Sequence, residues 1–543
     1  MKSYKILVLS LFVSGTLSAQ TLEDAIKKTE NERFDLASGL YKKLITNEAT
    51  NGDNYFYYGE SLLKDEKLDS AKIIWEQGIQ KAPENALNYV GLAKYLWFTK
   101  DTVNANLNID KAMGITKRKY HPKKTEVLRQ TATIFIETPE NKKLDYAISL
   151  VDKAIKLDEP KNINNYIIKG DALDTKTPEN GGPAINTYNI ALDINPNSTR
   201  AILRKAYLYQ RAKNYKLANE MYKLAQSKDP NFAPAYRKNA EFYMMFNKAD
   251  AAIENWLKYI NLNNTIEAHY SYATALFQGA KYCEAIKELD YLTQNKFDNF
   301  YIQRMYAYSF VDCDDFEAKI AAEKGLSHLA NFFEIAPKDK IYASDYRCKA
   351  MLLQKDKKDS LSIIELEKAI AMDEKTAPDF LGDLANIYLS QKNYGKVTET
   401  YTRKSNGDFN TLSVAEVYNY AKAYYFGDKN FKMADSCFAN LAERSPSYIP
   451  AYLWRGRCNF NLDTEKDLWL AYPHYSKLME VVGEKYNAPI NKSSVIEASK
   501  YLGDYYVNNA DFKDLEMAKK YWTIVFELDP EDNQAKIFLE ANQ

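Results

Sequence analysis

At 543 residues the chain is long enough for several globular domains, yet it contains only 19 Gly and 16 Pro. Turn-forming residues this scarce argue against a fold of many strands and loops and favour helices joined by short connections. Basic and acidic residues number 73 each, so a net charge of zero provides no general attraction to nucleic acids. Aromatic residues make up 13% of the chain and supply apolar area for a core despite a mean hydropathy of −0.51.

The first predicted element, residues 1–19, is a secretory signal peptide. Lys2 and Lys5 precede an apolar run over residues 6–13, and small residues follow as far as Ala19. A basic start, a short apolar stretch and a small-residue cleavage site together direct export. The run is too short to cross a bilayer of about 30 Å. We expect cleavage after Ala19 and an exported, periplasmic protein without an integral membrane segment.

The rest of the chain repeats one spacing of small and aromatic residues. A small residue in one helix is followed by a second small residue, an aromatic one turn later, a third small residue and a helix stop. Two copies are Gly59, Ala71, Trp75, Gly78, Pro83 and Ala206, Ala218, Tyr222, Ala225, Pro230. Further helix pairs are predicted to centre on Ala105, Ala147, Ala184, Ala285, Ser362, Val397, Ala434, Ala471 and Ala518. Small residues let two antiparallel helices approach closely, and Pro cannot continue the second helix. Each helix pair keeps an apolar face that only a neighbouring pair can cover, so the pairs are predicted to stack.

This pattern resembles the tetratricopeptide repeat. Tyr89 and Tyr236 match the early aromatic of that repeat, and Leu502-Gly503 matches its Leu-Gly pair. The resemblance covers nearly the whole chain after the signal and implies an all-α, right-handed superhelical solenoid of about fourteen antiparallel helix pairs. Residues 533–541 are predicted to form a capping helix over the last exposed face.

The rhythm is interrupted at residues 115–125, 331–340 and 483–494, which predicts a division into blocks. After the signal peptide these are an N-terminal block, a central block, a third block, and a last block with the capping helix. Their predicted ranges are 20–118, 119–335, 336–485 and 486–543.

Residue patterns typical of enzymes are missing from the sequence. The four histidines are far apart, and there is no phosphate-binding Gly loop, nucleophile elbow or His-Glu-x-x-His helix. We therefore predict a protein without catalytic activity, metal or cofactor. Cys437 and Cys458 fall on consecutive predicted helices, so a disulfide between them stays open until their separation is known.

The predicted binding surface is the inner face of the solenoid, which the first helix of each pair lines. The groove positions chosen there are rich in Arg and Tyr, the residue types that dominate interface hot spots. They are Arg200, Tyr207, Arg237, Tyr270, Arg304, Tyr308 and Arg347. The hypothesis is a groove for an extended or helical polypeptide of acidic character. An Asn one turn after the Arg, which some family members use to grip a C-terminal carboxylate, is absent here.

The function predicted from these features is a non-catalytic scaffold or adaptor in the periplasm, within an envelope assembly or secretion machine. Its partners would be proteins or peptides and not nucleic acid; the oligomeric state is open. The alternative is a carbohydrate-binding module that uses groove aromatics as stacking platforms. Exposed pairs of planar aromatics without Arg between them would favour that alternative.

Overall fold

The computed structural model describes residues 21–138, 143–158 and 162–542, and it contains 29 α-helices and no strand within these ranges. The predicted signal peptide, residues 1–19, lies outside the described residues. In the described part, no helix has both the length and the apolar character needed to cross a membrane. The helices form two compact units, which divide after Asp298.

The first unit contains eight consecutive antiparallel helix pairs. They are α1 (Leu22–Glu30) with α2 (Phe34–Asn47), α3 (Gly52–Lys64) with α4 (Leu68–Lys81), α5 (Ala86–Phe98) with α6 (Thr102–Ile115), α7 (Lys124–Glu137) with α8 (Leu144–Leu157), α9 (Ile163–Lys176) with α10 (Gly182–Ile194), α11 (Thr199–Arg211) with α12 (Tyr215–Lys228), α13 (Ala233–Met245) with α14 (Ala249–Leu262), and α15 (Ile266–Gln278) with α16 (Tyr282–Gln294).

The second unit contains six further pairs and a last single helix. They are α17 (Tyr301–Asp312) with α18 (Ala318–Ile335), α19 (Ala343–Lys355) with α20 (Asp359–Met372), α21 (Ala377–Ser390) with α22 (Tyr394–Ser405), α23 (Val414–Ala423) with α24 (Phe431–Arg444), α25 (Ile449–Leu462) with α26 (Tyr472–Val482), α27 (Lys492–Asn508) with α28 (Leu515–Leu528), and α29 (Asn533–Ala541). The predicted all-α solenoid of about fourteen pairs with a terminal helix is therefore confirmed.

Short 3-10 turns at Lys338–Lys340 and Gly483–Asn487 fall within two of the three predicted interruptions. The third interruption corresponds to the connection between α6 and α7. The division into four blocks itself stays a prediction.

The turn between the two helices of a pair has a recurring backbone geometry. Arg33, Lys67 and Asp101 follow one another at intervals of 34 residues, and each donates its N–H to the carbonyl five residues earlier at 2.9 Å. The preceding residue takes a left-handed conformation, which closes the helix end and reverses the chain. In the first unit these residues are Glu32, Glu66, Lys100, Lys213, Asn247 and Ala280, all with φ between 53° and 67°.

The core lies where the small residues of second helices meet the first helices. All of the hairpin centres predicted from spacing have an exposed fraction of 0%, including Ser362 and Val397, where the small residue is not Ala. The aromatic one turn later fills the space between neighbouring pairs. Trp75, also 0% exposed, donates its indole N–H to the Phe56 carbonyl at 3.1 Å. A Cβ at Gly59 or Gly91 would overlap the indole, so only Gly fits against both sides of this ring.

Cys437 and Cys458 are free thiols, each with an exposed fraction of 0%. Burial raises the pKa of both thiols to about 12 because the surrounding apolar side chains disfavour a thiolate. The disulfide that the sequence left open is therefore not formed, and both side chains act as small apolar core residues.

Candidate functional site

A cavity of about 690 Å³ lies inside the first unit, on the side formed by first helices. Its walls come from α1, α2, α3, α7, α9, α11 and α13, together with the turn between α1 and α2. Charged side chains are the largest group in the lining. They are Glu30, Glu32, Glu60, Lys64, Glu126, Arg129, Glu137, Asp171, Asp174, Arg200, Arg204, Arg237 and Lys238. A cavity with this lining is suited to a charged or polar ligand rather than an apolar one.

A buried lysine supports one wall of the cavity. Lys94 of α5 is 0% exposed, and its Nζ donates to Glu60 at 2.8 Å and to Glu137 at 3.2 Å. Burial alone would lower the pKa of Lys94, but Coulomb attraction to Glu137 and Glu60 outweighs it and raises that pKa. Burial likewise opposes ionisation of Glu137, yet Lys94 and Lys64 outweigh it and lower the pKa of Glu137. Lys94 and Glu137 are therefore both charged near neutral pH.

Lys64, at the end of α3, faces the same cavity and forms no ion pair with any residue in the described ranges. The surrounding protein withdraws its ammonium from bulk water, and the Arg200 guanidinium adds repulsion, so the pKa of Lys64 is lowered. Lys64 is thus a polar group of the cavity whose hydrogen-bonding capacity is not used by a neighbouring carboxylate.

The structure places Arg200 and Arg237 on the cavity wall, where both contact the first helix pair. Arg200 Nη1 donates to Glu30 Oε1 at 2.9 Å and to Asn164 Oδ1 at 3.1 Å. Arg237 donates to both carboxylate oxygens of Glu32, from Nε at 3.1 Å and from Nη2 at 2.5 Å. Two parallel N–H···O bonds of this kind are the strongest geometry available to Arg and a carboxylate.

The two predicted tyrosines of the first unit have different surroundings. Tyr207 lines the cavity, is 48% exposed, and has the Arg211 guanidinium 5.8 Å from its ring centre. Tyr270 is half-buried and packs on Phe297 with ring centres 5.2 Å apart. Tyr207 is therefore open to a ligand on one face, whereas Tyr270 also serves packing between helix pairs.

In the second unit, the predicted residues link consecutive first helices. Arg304 of α17 donates to Asp345 of α19 at 2.9 and 2.8 Å, and Tyr308 donates to the same carboxylate at 3.0 Å. Asp345 is 0% exposed, and the Arg304 guanidinium also lies 4.4 Å from the Phe332 ring centre. Arg347 of α19 donates to Asp383 of α21 at 2.6 Å. Much of the polar surface of these residues is therefore used within the unit.

Sequence reasoning missed the carboxylate partners of these arginines. Asp383 lies 36 residues after Arg347, and Asp171 lies 33 residues before Arg204, with an Nε–Oδ1 distance of 2.8 Å. An acidic residue about one repeat period from an Arg in a first helix is therefore a usable signal for such a link. No comparable signal exists for Glu32, which meets Arg237 across 205 residues.

The described histidines lie in separate places, and two of them place ring nitrogens against neighbouring side chains. His269 contacts Glu288 through Nδ1, and the His328 Nδ1 lies 2.8 Å from Gln303 Oε1. A zinc site needs at least three protein ligands around one point. His269 and Glu288 together supply two.

Neither a protein-family model nor a curated protein matches the chain. Solved structures do match in part. The C-terminal part of a tetratricopeptide-repeat protein from Cytophaga hutchinsonii is 26% identical, covering 49% of this chain and 98% of that one with a TM-score of 0.40. PilF of Pseudomonas aeruginosa is 20% identical over 41% of this chain and 94% of its own, with a TM-score of 0.27. A tetratricopeptide-repeat protein from Parabacteroides merdae is 16% identical, covering 48% of this chain and 97% of its own, with a TM-score of 0.29.

The architecture itself identifies the repeat. Antiparallel pairs of 13- or 14-residue helices recur, as in α3 with α4 and α5 with α6. Several of their turns share one geometry, and a fully buried residue stands at every centre predicted from the repeat pattern. The described part of the chain has the architecture of a tetratricopeptide-repeat solenoid.

Proposed function

We propose that this protein is an exported, non-catalytic scaffold whose first unit holds acidic segments of partner polypeptides in its cavity-lined groove. A solenoid of helix pairs is an interaction scaffold because stacking creates one long surface from many short elements. To this general scaffold function the proposal adds three points, which are the binding site, the acidic chemistry of the partner and the cellular compartment.

The observation that carries the proposal is the way Arg200 and Arg237 take up carboxylates. Both project from first helices into the cavity, and each already binds a glutamate from a distant part of the chain. Lys64, Tyr207 and Lys238 extend the same wall. Arg with Tyr supplies charge-assisted hydrogen bonds and flat apolar contact, the combination that anchors polypeptides at interfaces.

The electrostatics of the Lys94–Glu137 pair favour binding over catalysis. A general acid or base works best when its pKa is close to the operating pH. Here the pKa of Lys94 is raised and that of Glu137 is lowered, so both shifts lead away from neutrality. These charges are fixed features of the wall, suited to recognition.

The proposed compartment is the periplasm, and the proposed setting is an envelope assembly or secretion machine. The support is the predicted signal peptide at residues 1–19. N-terminal sequencing of the protein purified from its source cells is expected to begin at Gln20. A mature protein that still begins at Met1 would overturn the exported part of the proposal.

The scaffold function is tested by capture from envelope extract with the full mature chain, followed by mass spectrometry. A groove variant, Lys64→Glu with Tyr207→Ala, changes two lining residues outside the ion pairs that join the helices. The matched control, Lys81→Glu with Tyr120→Ala, makes the same changes at exposed positions outside the cavity. We expect the control to capture the same proteins as the wild type and the groove variant to lose them. Equal capture by both variants would refute the proposed site.

A further inference from the structure

The turn between α1 and α2 lies against helices far along the chain. Glu32 contacts Arg237 of α13 and accepts a 3.0 Å hydrogen bond from the Tyr259 hydroxyl of α14. Glu30 pairs with Arg200 of α11 at 2.9 Å. These contacts span 170 to 227 residues of sequence. We name residues 30–32 the acidic turn.

Among the turns of this type that the structure describes in the first unit, no other is covered in the same way. The equivalent left-handed residues Glu66, Lys100, Lys213, Asn247 and Ala280 are all exposed, whereas Glu32 is half-buried. Asn31 beside it is 4% exposed. The covering is thus specific to the turn that carries two carboxylates two residues apart.

The receiving surface is complementary to those carboxylates. Arg237 offers a bidentate fork, Tyr259 adds a hydroxyl donor, and Arg200 offers a second cation for the second glutamate. Side-chain exposure is only 28% for Arg237 and 19% for Glu32, so water screens this pair less than a surface pair. The site therefore has the features of a ligand pocket for a Glu-x-Glu segment that is already filled.

The helix pair that carries the acidic turn stands at the edge of the described stack. Besides its contacts with α11, α13 and α14, it contacts the next pair through the Tyr41–Tyr58 ring stack at 5.4 Å and a 3.0 Å hydrogen bond from Thr29 to Ser61.

We propose that the acidic turn is a built-in ligand of the surface formed by Arg200, Arg237 and Tyr259, and that an acidic partner segment with a Glu-x-Glu pattern binds by displacing it. This inference rests on the proposed scaffold function and names its partner chemistry and its regulation. The tethered turn acts at an effective concentration of about millimolar, so it would suppress weak acidic ligands and admit only partners with further contacts along the groove.

The test uses the full mature chain and a fluorescein-labelled peptide of residues 27–36, which reproduces the acidic turn. A second peptide carries Gln in place of both glutamates. Fluorescence anisotropy is measured with the wild type, with Glu30→Gln/Glu32→Gln, and with the matched control Glu23→Gln/Asp35→Asn, which neutralises two exposed acids of the same helix pair.

We expect Glu30→Gln/Glu32→Gln to bind the acidic peptide at least about tenfold more tightly than the wild type or the control, because the competing turn is neutralised. Adding Arg237→Gln to that variant should abolish the gain, and the Gln peptide should not bind. Equal affinities for wild type and variant, with helical circular dichroism retained, would overturn the inference.

Hydrogen exchange of the unmodified protein provides a second measurement that needs no variant. Saturating acidic peptide should speed amide exchange in residues 22–47 and slow it in α11 and α13. Unchanged exchange in both regions would also overturn the inference. If exchange does not change but partners are still captured from envelope extract, the proposed scaffold function stands. The acidic turn would then only stabilise the fold.

Discussion

Arginines at similar places in the repeat have different roles in the two units. In the second unit, Arg304 joins neighbouring first helices through Asp345, a carboxylate with an exposed fraction of 0%. In the first unit, Arg237 instead binds Glu32, 205 residues away and partly open to the cavity. The comparison teaches that residue type and repeat position alone do not separate an arginine that stabilises the stack from one that offers a binding site. The location of the carboxylate that the arginine binds separates the two roles.

The largest expected effect is on the buried link of the second unit. Asp345→Ala should destabilise that unit by about 3–5 kcal/mol, because Arg304 would remain buried without a counter-charge. The same change removes the acceptor of the Tyr342 N–H, at 2.8 Å, and so weakens the start of α19. Urea denaturation followed by circular dichroism measures the loss. Asp339→Ala, whose side chain is 72% exposed, is the control. A loss for Asp345→Ala below about 1 kcal/mol would contradict the distinction drawn between the two arginines.

A smaller loss of stability is expected from the corresponding change in the first unit. Arg237→Ala should cost about 1–2 kcal/mol, between the values for exposed and buried ion pairs. Hydrogen exchange should show the effect in α1 and α2 but not in α5 or α6, since the lost contact holds only the first pair. Faster exchange throughout the first unit would mean that the acidic turn supports the whole unit.

A pH effect specific to the second unit is expected from His474. Burial, with repulsion from Arg455, lowers the pKa of His474 to about 4 from an ordinary value near 6.5. The unfolded chain therefore binds a proton at a higher pH than the folded chain does. The stability from neutral His474 is complete above about pH 6.5 and decreases as the pH falls toward 4. Denaturation midpoints of the wild type at pH 7, 6, 5 and 4 should decline more steeply than those of His474→Gln. Parallel curves would refute this assignment, and His121→Gln is the matched control.

The smallest effect is expected for an exposed pair with the same repeat spacing. Arg403 and Glu367 contact each other at 2.8 Å across 36 residues, but their side chains are 39% and 43% exposed. Arg403→Ala should change the free energy of unfolding by no more than about 0.5 kcal/mol, because solvent screens the pair. A thermal unfolding series with Asp345→Ala, Arg237→Ala and Arg403→Ala would then rank the three arginine links by burial. A loss for Arg403→Ala as large as that for Asp345→Ala would show that burial does not set the ranking.

The fold was largely predictable because its determinants are local and periodic. Ala71 and Trp75 report helix packing within one repeat, and the structure confirms both as fully buried. Ser362 and Val397 were found by spacing even though neither is the usual small Ala. The disulfide question could not be answered from sequence, because helix adjacency does not fix the separation of Cys437 and Cys458.

The site was less predictable because it depends on contacts between repeats. The sequence analysis selected Arg304 and Tyr308 as groove residues, and their shared partner Asp345 lies 41 and 37 residues away, about one repeat. That partner could have been found by searching one period along the chain. The Glu32–Arg237 contact could not, because it depends on small rotations accumulated over several stacked pairs. Whether the seven predicted residues bind a partner stays a prediction.

The central claim, that the cavity side of the first unit holds a partner polypeptide, is tested most directly by site-specific photocrosslinking in the source cells. A benzophenone amino acid replaces Tyr207 on the cavity wall or, as the control, Lys81 outside it. We expect the label at position 207 to yield a discrete crosslinked partner band that the label at position 81 does not. A band from position 81 alone, or identical bands from both positions, would contradict the claim.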